Sequence, residues 1–179
     1  MNTIEELIER NHDFATTKFK HSQSLLPSKR TIIVSCADPR VDPAHVLGVE
    51  QGEAVIIRNS GGRFVPSTML TMGLLSTLAR DEAGDQSGDW NLIFLHHTDC
   101  GIIHLETSSP DMLAAYFGVT PGELAPFKIA SPYEAVRVDV EAATSNPRIP
   151  KNFLISGIVY DVETGEAVVA APLVSKAEV

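Results

Sequence analysis

Thr31-Ile32-Ile33-Val34-Ser35-Cys36, followed by Ala37-Asp38-Pro39-Arg40, is the stretch whose reading decides the fold. Four β-branched residues in succession, with no polar alternation, predict a strand buried on both faces, as in the interior of a parallel sheet. The polar residues that follow place reactive groups at its carboxyl end. A second stretch repeats the arrangement: Asn91-Leu92-Ile93-Phe94-Leu95 runs into His96-His97-Thr98-Asp99-Cys100. The only two cysteines of the chain therefore sit just beyond two predicted strands.

Two thiolates and one imidazole delivered by two strand ends make a three-ligand zinc site with an open fourth position, the pattern of a catalytic rather than a structural zinc. Neighbouring residues of a strand point to opposite faces, so only one of His96 and His97 reaches the metal. A structural zinc needs a fourth protein ligand, and only Asp38 or a neighbouring histidine is at hand. A Cys36–Cys100 disulfide is disfavoured in a reducing compartment.

Working outward, Thr3 and Glu6 stand at capping-box spacing ahead of Ile4, Leu7, Ile8 and Phe14, which predicts an amphipathic helix over about 3–18. Residues 21–29 read as a polar linker. Ala54–Ile57 is a second strand, entering the loop Arg58-Asn59-Ser60-Gly61-Gly62-Arg63. The segment 66–80 is helical and apolar almost all round, more than one small domain can cover, which predicts burial against another subunit. Residues 81–89 read as a loop and 111–117 as a short helix stopped at Gly118. Ser131-Pro132-Tyr133-Glu134 starts a helix that ends before Pro147. A strand pair, 152–160 and 166–171, turns at Thr164-Gly165, and a loose tail follows over 173–179. Alternating strands and helices predict one α/β domain, residues 1–172, with a mostly parallel sheet whose ligands bind beyond the strands' carboxyl ends.

With 179 residues, 44% hydrophobic and 21% charged, the composition is that of one globular domain. A net charge of −9 argues against nucleic acid or an anionic membrane as partner. No apolar run approaches the ~20 residues of a membrane span, and the acidic start has no signal-peptide core, so a cytoplasmic location is expected.

Cys36-Ala37-Asp38-Pro39-Arg40 together with His97-Thr98-Asp99-Cys100-Gly101 resembles the paired motifs C-x-D-x-R and H-x-x-C-G of the β-class carbonic anhydrases, and Arg58-Asn59-Ser60-Gly61-Gly62 is similar to that family's R-N-A-G loop. The resemblance covers roughly residues 1–172. It implies four parallel strands with an antiparallel fifth at one edge, a homodimer or dimer of dimers, and N-terminal helices laid across the partner. It also implies one Zn²⁺ per chain on Cys36, His97 and Cys100, with His96 packed behind, and an Asp38–Arg40 dyad in which Arg40 keeps Asp38 ionised. Gly101 and Gly61 are the implied substrate contacts, and a side chain at Gly101 would crowd the metal. Pro27 stands where plant-type members carry a substrate-contacting glutamine, which places the chain with the shorter bacterial or fungal-type branch.

The implied reaction is zinc-hydroxide hydration of CO₂ to bicarbonate and a proton. The same site would also serve hydrolysis of carbonyl sulfide or carbon disulfide to H₂S and CO₂, the motif being shared; selectivity would lie in loops such as 60–68 and 102–130. A non-catalytic zinc-fold interaction protein is the third reading, against which all five ligand and dyad residues stand. His45 and His104 are candidate proton shuttles, Arg58 and Arg63 anion contacts or salt-bridge partners, Asp99 a turn residue or a hydrogen-bond acceptor beside the ligands, and Trp90 a core or interface residue.

Overall fold

In the computed structural model, residues 2–19, 24–83 and 88–178 are described, 79–83 by their backbone alone. Five strands form one sheet in the order β2-β1-β3-β4-β5, where β1 is Thr31–Cys36, β2 Ala54–Asn59, β3 Trp90–His97, β4 Phe153–Tyr160 and β5 Ala167–Ser175. The first three pairings are parallel and β4–β5 is antiparallel, as expected. All six residues of β1 are buried, which is what its unbroken β-branched run requires. The chain leaves β1 for β2 on one side and returns for β3 on the other, so strand order reverses between β1 and β3. A crevice at that switch point is where such sheets bind ligands.

Helices α1 (Thr3–Thr17), α2 (Pro43–Val46), α3 (Pro66–Ala83), α4 (Ile102–Ser108), α5 (Pro110–Phe117) and α6 (Pro132–Ser145) complete the architecture. One apolar core joins β1, β3 and β4 to α6 through Val34, Leu92, Phe94, Ile155, Val136 and Val140. Trp90 belongs to it, stacked on Phe153 with centroids 6.2 Å apart. A second cluster at the strands' carboxyl ends packs Cys36 and Cys100 with Val41, Val65, Ile102, Leu113 and Phe117. The candidate ligands are thus part of a core, not appended to one.

Several expectations are corrected. The cap of α1 lies one residue earlier than expected: Asn2 accepts from the Ile4 and Glu5 amides, and Glu5 returns the bond. The predicted loop at 81–89 begins later, because α3 runs to Ala83; positions 84–87 lie outside the described residues, as do 20–23 of the linker. The tail is not loose. β5 continues to Ser175, a short 3₁₀ turn covers Lys176–Glu178, and the buried Lys176 ammonium donates to Thr144 O in the last turn of α6. A cation is favourable there because the carbonyls of a helix end carry partial negative charge.

Two helices keep apolar faces uncovered. α1 has no buried residue, with Ile4, Leu7 and Ile8 each more than half exposed. On α3, Met72 is buried while Leu70, Leu74 and Leu78 are more than half exposed.

Gly62 sets how closely the strand ends approach. Its φ is +66°, and a Cβ there would meet Cys36 N, Leu95 O and Ser35 C at 3.0 Å, all backbone atoms that cannot swing away. Gly48 shares the left-handed conformation (φ +65°) with nothing within 4 Å. Gly62→Ala is therefore expected to destabilise the protein by about 2–4 kcal/mol, left-handed strain plus overpacking, and Gly48→Ala by about 1 kcal/mol from strain alone. Urea unfolding of the two variants beside wild type checks the contrast.

Candidate metal centre

Cys36 ends β1, His97 ends β3, and Cys100 follows the tight turn Thr98-Asp99. In-register pairing of Ser35 with Leu95 brings these ends side by side. Asp99 takes φ +52°, a left-handed conformation that aspartate tolerates better than most residues, and this turns the chain back so that Cys100 faces Cys36. The Sγ atoms of Cys36 and Cys100 stand 3.8 Å apart as free thiols, and both lie with a His97 ring nitrogen inside a 4.8 Å cluster. His96 is not in that cluster; it points to the opposite face, against Asp139.

The His97 ring is held by its Nδ1, 2.8 Å from Thr98 O. Pairing with a carbonyl puts the proton on Nδ1 and leaves the Nε2 lone pair directed inward. That Nε2 is buried with no hydrogen-bond partner, the state expected of an atom meant for a cation. The thiols share a proton. Hydrogen bonding from Cys100 is the chief cause that lowers Cys36 to about 4, helped by His97 and the Asp38 and Gly61 amides against burial. Cys100 is pushed up, first by its bond to Cys36 and then by burial. Burial pulls His97 down, but the Cys36 thiolate outweighs it and the net shift is upward. Two thiols and an imidazole so close together are a donor set that a metal ion would complete by displacing protons.

Backbone amides surround the Cys36 sulfur: Asp38 N–H donates to it over 3.4 Å and Gly61 N–H over 3.3 Å. Gly61 thus turns its amide onto the Cys36 sulfur. Its φ is +79°, and a Cβ would come within 2.8 Å of Ile102 Cδ1. A Cβ at Gly101 would meet no protein atom within 4 Å. Arg58 on β2 fixes the loop after Cys36, donating to Cys36 O (3.0 Å), Asp38 O (2.6 Å) and Asp42 Oδ2 (2.9 Å). It is a structural clamp, not an open anion contact.

Asp38 Oδ2 lies 4.0 Å from His97 Nε2, at the edge of the cluster. Arg40 grips its carboxylate in a fork, Nε to Oδ1 at 3.0 Å and Nη2 to Oδ2 at 2.7 Å. The guanidinium holds Asp38 at about 2. The other edge of Arg40 reaches Asp99, whose Oδ2 accepts from Nη1 at 2.8 Å and whose carbonyl accepts from Nη2 at 3.0 Å. One side chain therefore ties the loop after Cys36 to the turn before Cys100. Asp99, expected as a turn residue or a hydrogen-bond acceptor beside the ligands, is half of this clip. His45 is exposed and lies beside Asp42, 3.9 Å away. His104 sits on α4, its carbonyl taken by Thr107 and Ser108.

Sequence reasoning missed Asp139 and Tyr116. Asp139 stands on the buried stripe of α6 between Val136, Val140 and Ala143, and a carboxylate on an apolar stripe is a signal of a buried partner. Tyr116 donates to Ser60 O at 2.8 Å, bracing the glycine loop; nothing in its local pattern marked it.

The sequence model for carbonic anhydrase matches residues 31–122. Beta-carbonic anhydrase 1 of Mycobacterium tuberculosis is 31% identical over 169 residues, spanning 93% of this chain and 96% of the relative. The carbon disulfide hydrolase of Saccharolobus solfataricus is 29% identical over 189 residues, spanning 90% of this chain and 85% of the relative. Among solved structures, a carbonic anhydrase from Streptococcus mutans superposes with a TM-score of 0.70 at 29% identity, covering 95% of this chain and 98% of that one. With the fold, the paired motifs and these relatives in agreement, the chain belongs to the β-carbonic anhydrase family of enzymes.

Proposed function

We propose that this chain catalyses the reversible hydration of CO₂ to bicarbonate and a proton, with one Zn²⁺ held by Cys36, His97 and Cys100. The observation that carries the reading is the 3.8 Å separation of the two sulfurs, with the unpartnered His97 Nε2 aimed between them. Two sulfurs each ~2.3 Å from a tetrahedral zinc stand about 3.8 Å apart. Soft thiolates with an imidazole select zinc over hard cations such as Mg²⁺ or Ca²⁺. When bound, zinc supplies the Lewis acidity that makes water a nucleophile near neutral pH.

The protein's own groups do the rest. The Asp38 carboxylate, held ionised and aimed by Arg40, accepts a hydrogen bond from the attacking water and orients its lone pair toward the substrate carbon. Arg40 is kept in place by Asp99, so the acceptor does not drift. Gly61 and Asp38 amides draw charge from the Cys36 thiolate, which makes two anionic ligands less damping to the metal. Gly101, next to the last ligand, leaves the approach free of a side chain. Ile102, Ile103 and Ile129 line the small cavity beside the ligands and make that side of it apolar.

A second reading has a specific observation behind it: carbon disulfide hydrolases stand among the relatives that align along most of the chain. Ligands and dyad serve either substrate equally, because CO₂, carbonyl sulfide and carbon disulfide are all linear and electrophilic at carbon. We take CO₂ hydration as the main activity and release of H₂S from carbonyl sulfide or carbon disulfide as secondary. No described helix is long and apolar enough to cross a membrane. Free, closely spaced thiols fit a reducing, cytoplasmic setting.

The exposed apolar faces of α1 and α3 support a homodimer or dimer of dimers in which each N-terminal helix packs on the partner. An isolated helix of this length is marginal in water. Sedimentation at micromolar concentration is expected to show a dimer or tetramer; an active monomer would contradict this.

Zinc content tests the ligands. Wild type is expected to carry about one zinc per chain; Cys36→Ser, His97→Ala and Cys100→Ser should each lose most of it, and His96→Ala should retain it. Asp38→Asn should keep zinc and lower kcat by about a hundredfold, the scale of a lost charge-assisted contact to a reacting group. Stopped-flow CO₂ hydration beside H₂S release from carbonyl sulfide, on one zinc-loaded sample, decides the substrate: a far higher kcat/KM for carbonyl sulfide would transfer the assignment to the second reading.

A further inference from the structure

On the face of β3 opposite His97, the protein buries a charged cluster that the proposed reaction does not use. Arg63 follows the Ser60–Gly62 turn and is 1% exposed, and its partner Asp139 on α6 is 2% exposed. Arg63 Nε donates to Asp139 Oδ2 at 2.7 Å, and Nη2 donates to Asp139 Oδ1 at 3.3 Å and to Phe127 O at 2.9 Å. The guanidinium carbon lies 5.0 Å over the Phe117 ring. His96 Nε2 is 3.0 Å from the same Asp139 Oδ2, off the line of a good hydrogen bond. Arg63 Nη1 has no partner, and a small cavity is lined by Arg63 and His96 together with Gly61, His97 and Cys100.

Stability does not explain such a pair. Removing two charges from water costs several kcal/mol each, and apolar residues of similar volume in the same place are often neutral or stabilising. What an ion pair supplies is direction. Here each half is attached to one side of the metal centre. The Arg63 main chain is locked to Asn59 by reciprocal 2.8 Å bonds, Arg63 N to Asn59 Oδ1 and Asn59 Nδ2 to Arg63 O. Those bonds close the turn that carries the Gly61 amide onto Cys36 Sγ. Asp139 meets His96, the residue directly before the ligand His97. The pair therefore braces the Cys36 amide donor to the β3 end across the site, with α6 as the rigid support.

We propose that Arg63 and Asp139 are positioning residues for the metal centre, setting where the Gly61 amide and the His97 ring meet the ligand cluster. The inference rests on Cys36, His97 and Cys100 holding a metal, and on CO₂ hydration only for its kinetic readout. Its test uses the full chain loaded with Co²⁺, whose thiolate charge-transfer and ligand-field bands report ligand geometry without any substrate, and the zinc-loaded chain for kinetics. Arg63→Met/Asp139→Val removes both charges together and avoids stranding one; Arg63→Lys keeps the charge and loses the fork. In the double variant, folding cooperatively, the cobalt bands are expected to shift. Its resistance to a chelator and its kcat for CO₂ should fall about ten- to a hundredfold, the usual scale for groups that orient ligands. KM should stay within about twofold, and Arg63→Lys should fall between the two proteins. A folded double variant with wild-type bands and kcat overturns the proposal. Should the double variant not fold, Arg63→Lys decides: shifted bands support the proposal and unchanged bands overturn it. An inactive wild type with shifted bands in the variants would defeat the CO₂ reading alone.

Discussion

The in-register parallel pairing of β1 with β3 is the constraint on which the rest depends. Ser35 opposite Leu95 ends the pairing one residue before Cys36 and two before His97, so the two side chains meet just beyond it. A slip of one residue would turn every side chain of β3 to the other face, exchanging His97 for His96. Register is secured by burial, since both strands are enclosed on two faces and cannot shift without exposing apolar residues. It is also secured at the strand ends, where Gly62 sits against the backbone of both. Packing precision and metal-ligand precision are here one property.

From that pairing the chemistry spreads by short covalent links. Asp38 is two residues beyond one ligand and Asp99 one residue before another, and Arg40 joins them. A carboxylate with the role proposed for Asp38 cannot be left on a rotating side chain. The forked contact fixes both its charge and its plane, which a lysine at the same position would not do. The clip to Asp99 then couples the dyad to the turn that places Cys100. Loss of any of the three would be felt by the other two, so their effects should not add.

Most of this was legible because it is written locally. Runs such as Thr31–Val34 and Leu92–Leu95 have one sensible structure, and two cysteines beside histidine and aspartate have few uses. What the local pattern hid is what depends on distant partners. The order of the tail depends on partners far along the chain, β4 and the last turn of α6. Pro172 falls in the edge strand β5 near the register shift against β4, a position where proline is tolerated. Arg63 could have been an anion contact or an ion-pair member until α6 placed Asp139 against it. That the Gly61 amide turns onto the Cys36 sulfur depends on the left-handed turn at 60–62 and on where β1 ends beside it. The surplus of apolar residues on α3 was visible, but its concentration in one stripe, Leu70-Leu74-Leu78, emerged only from packing.

Charge balance around the centre explains why the walls must carry selectivity. Arg40 is matched by Asp38 and Asp99, Arg58 by Asp42, and Arg63 by Asp139. Two thiolates would likewise balance the divalent ion proposed there. Among these groups no cation is left to steer an anionic substrate inward, and a neutral gas needs none. A neutral linear molecule offers the site little to grip except size and polarisability. Under the proposed reaction, discrimination between oxygen and sulfur at its ends would therefore fall to side chains such as Ile102, which lines the small cavity with Gly61 and Cys100, and not to the ligands themselves.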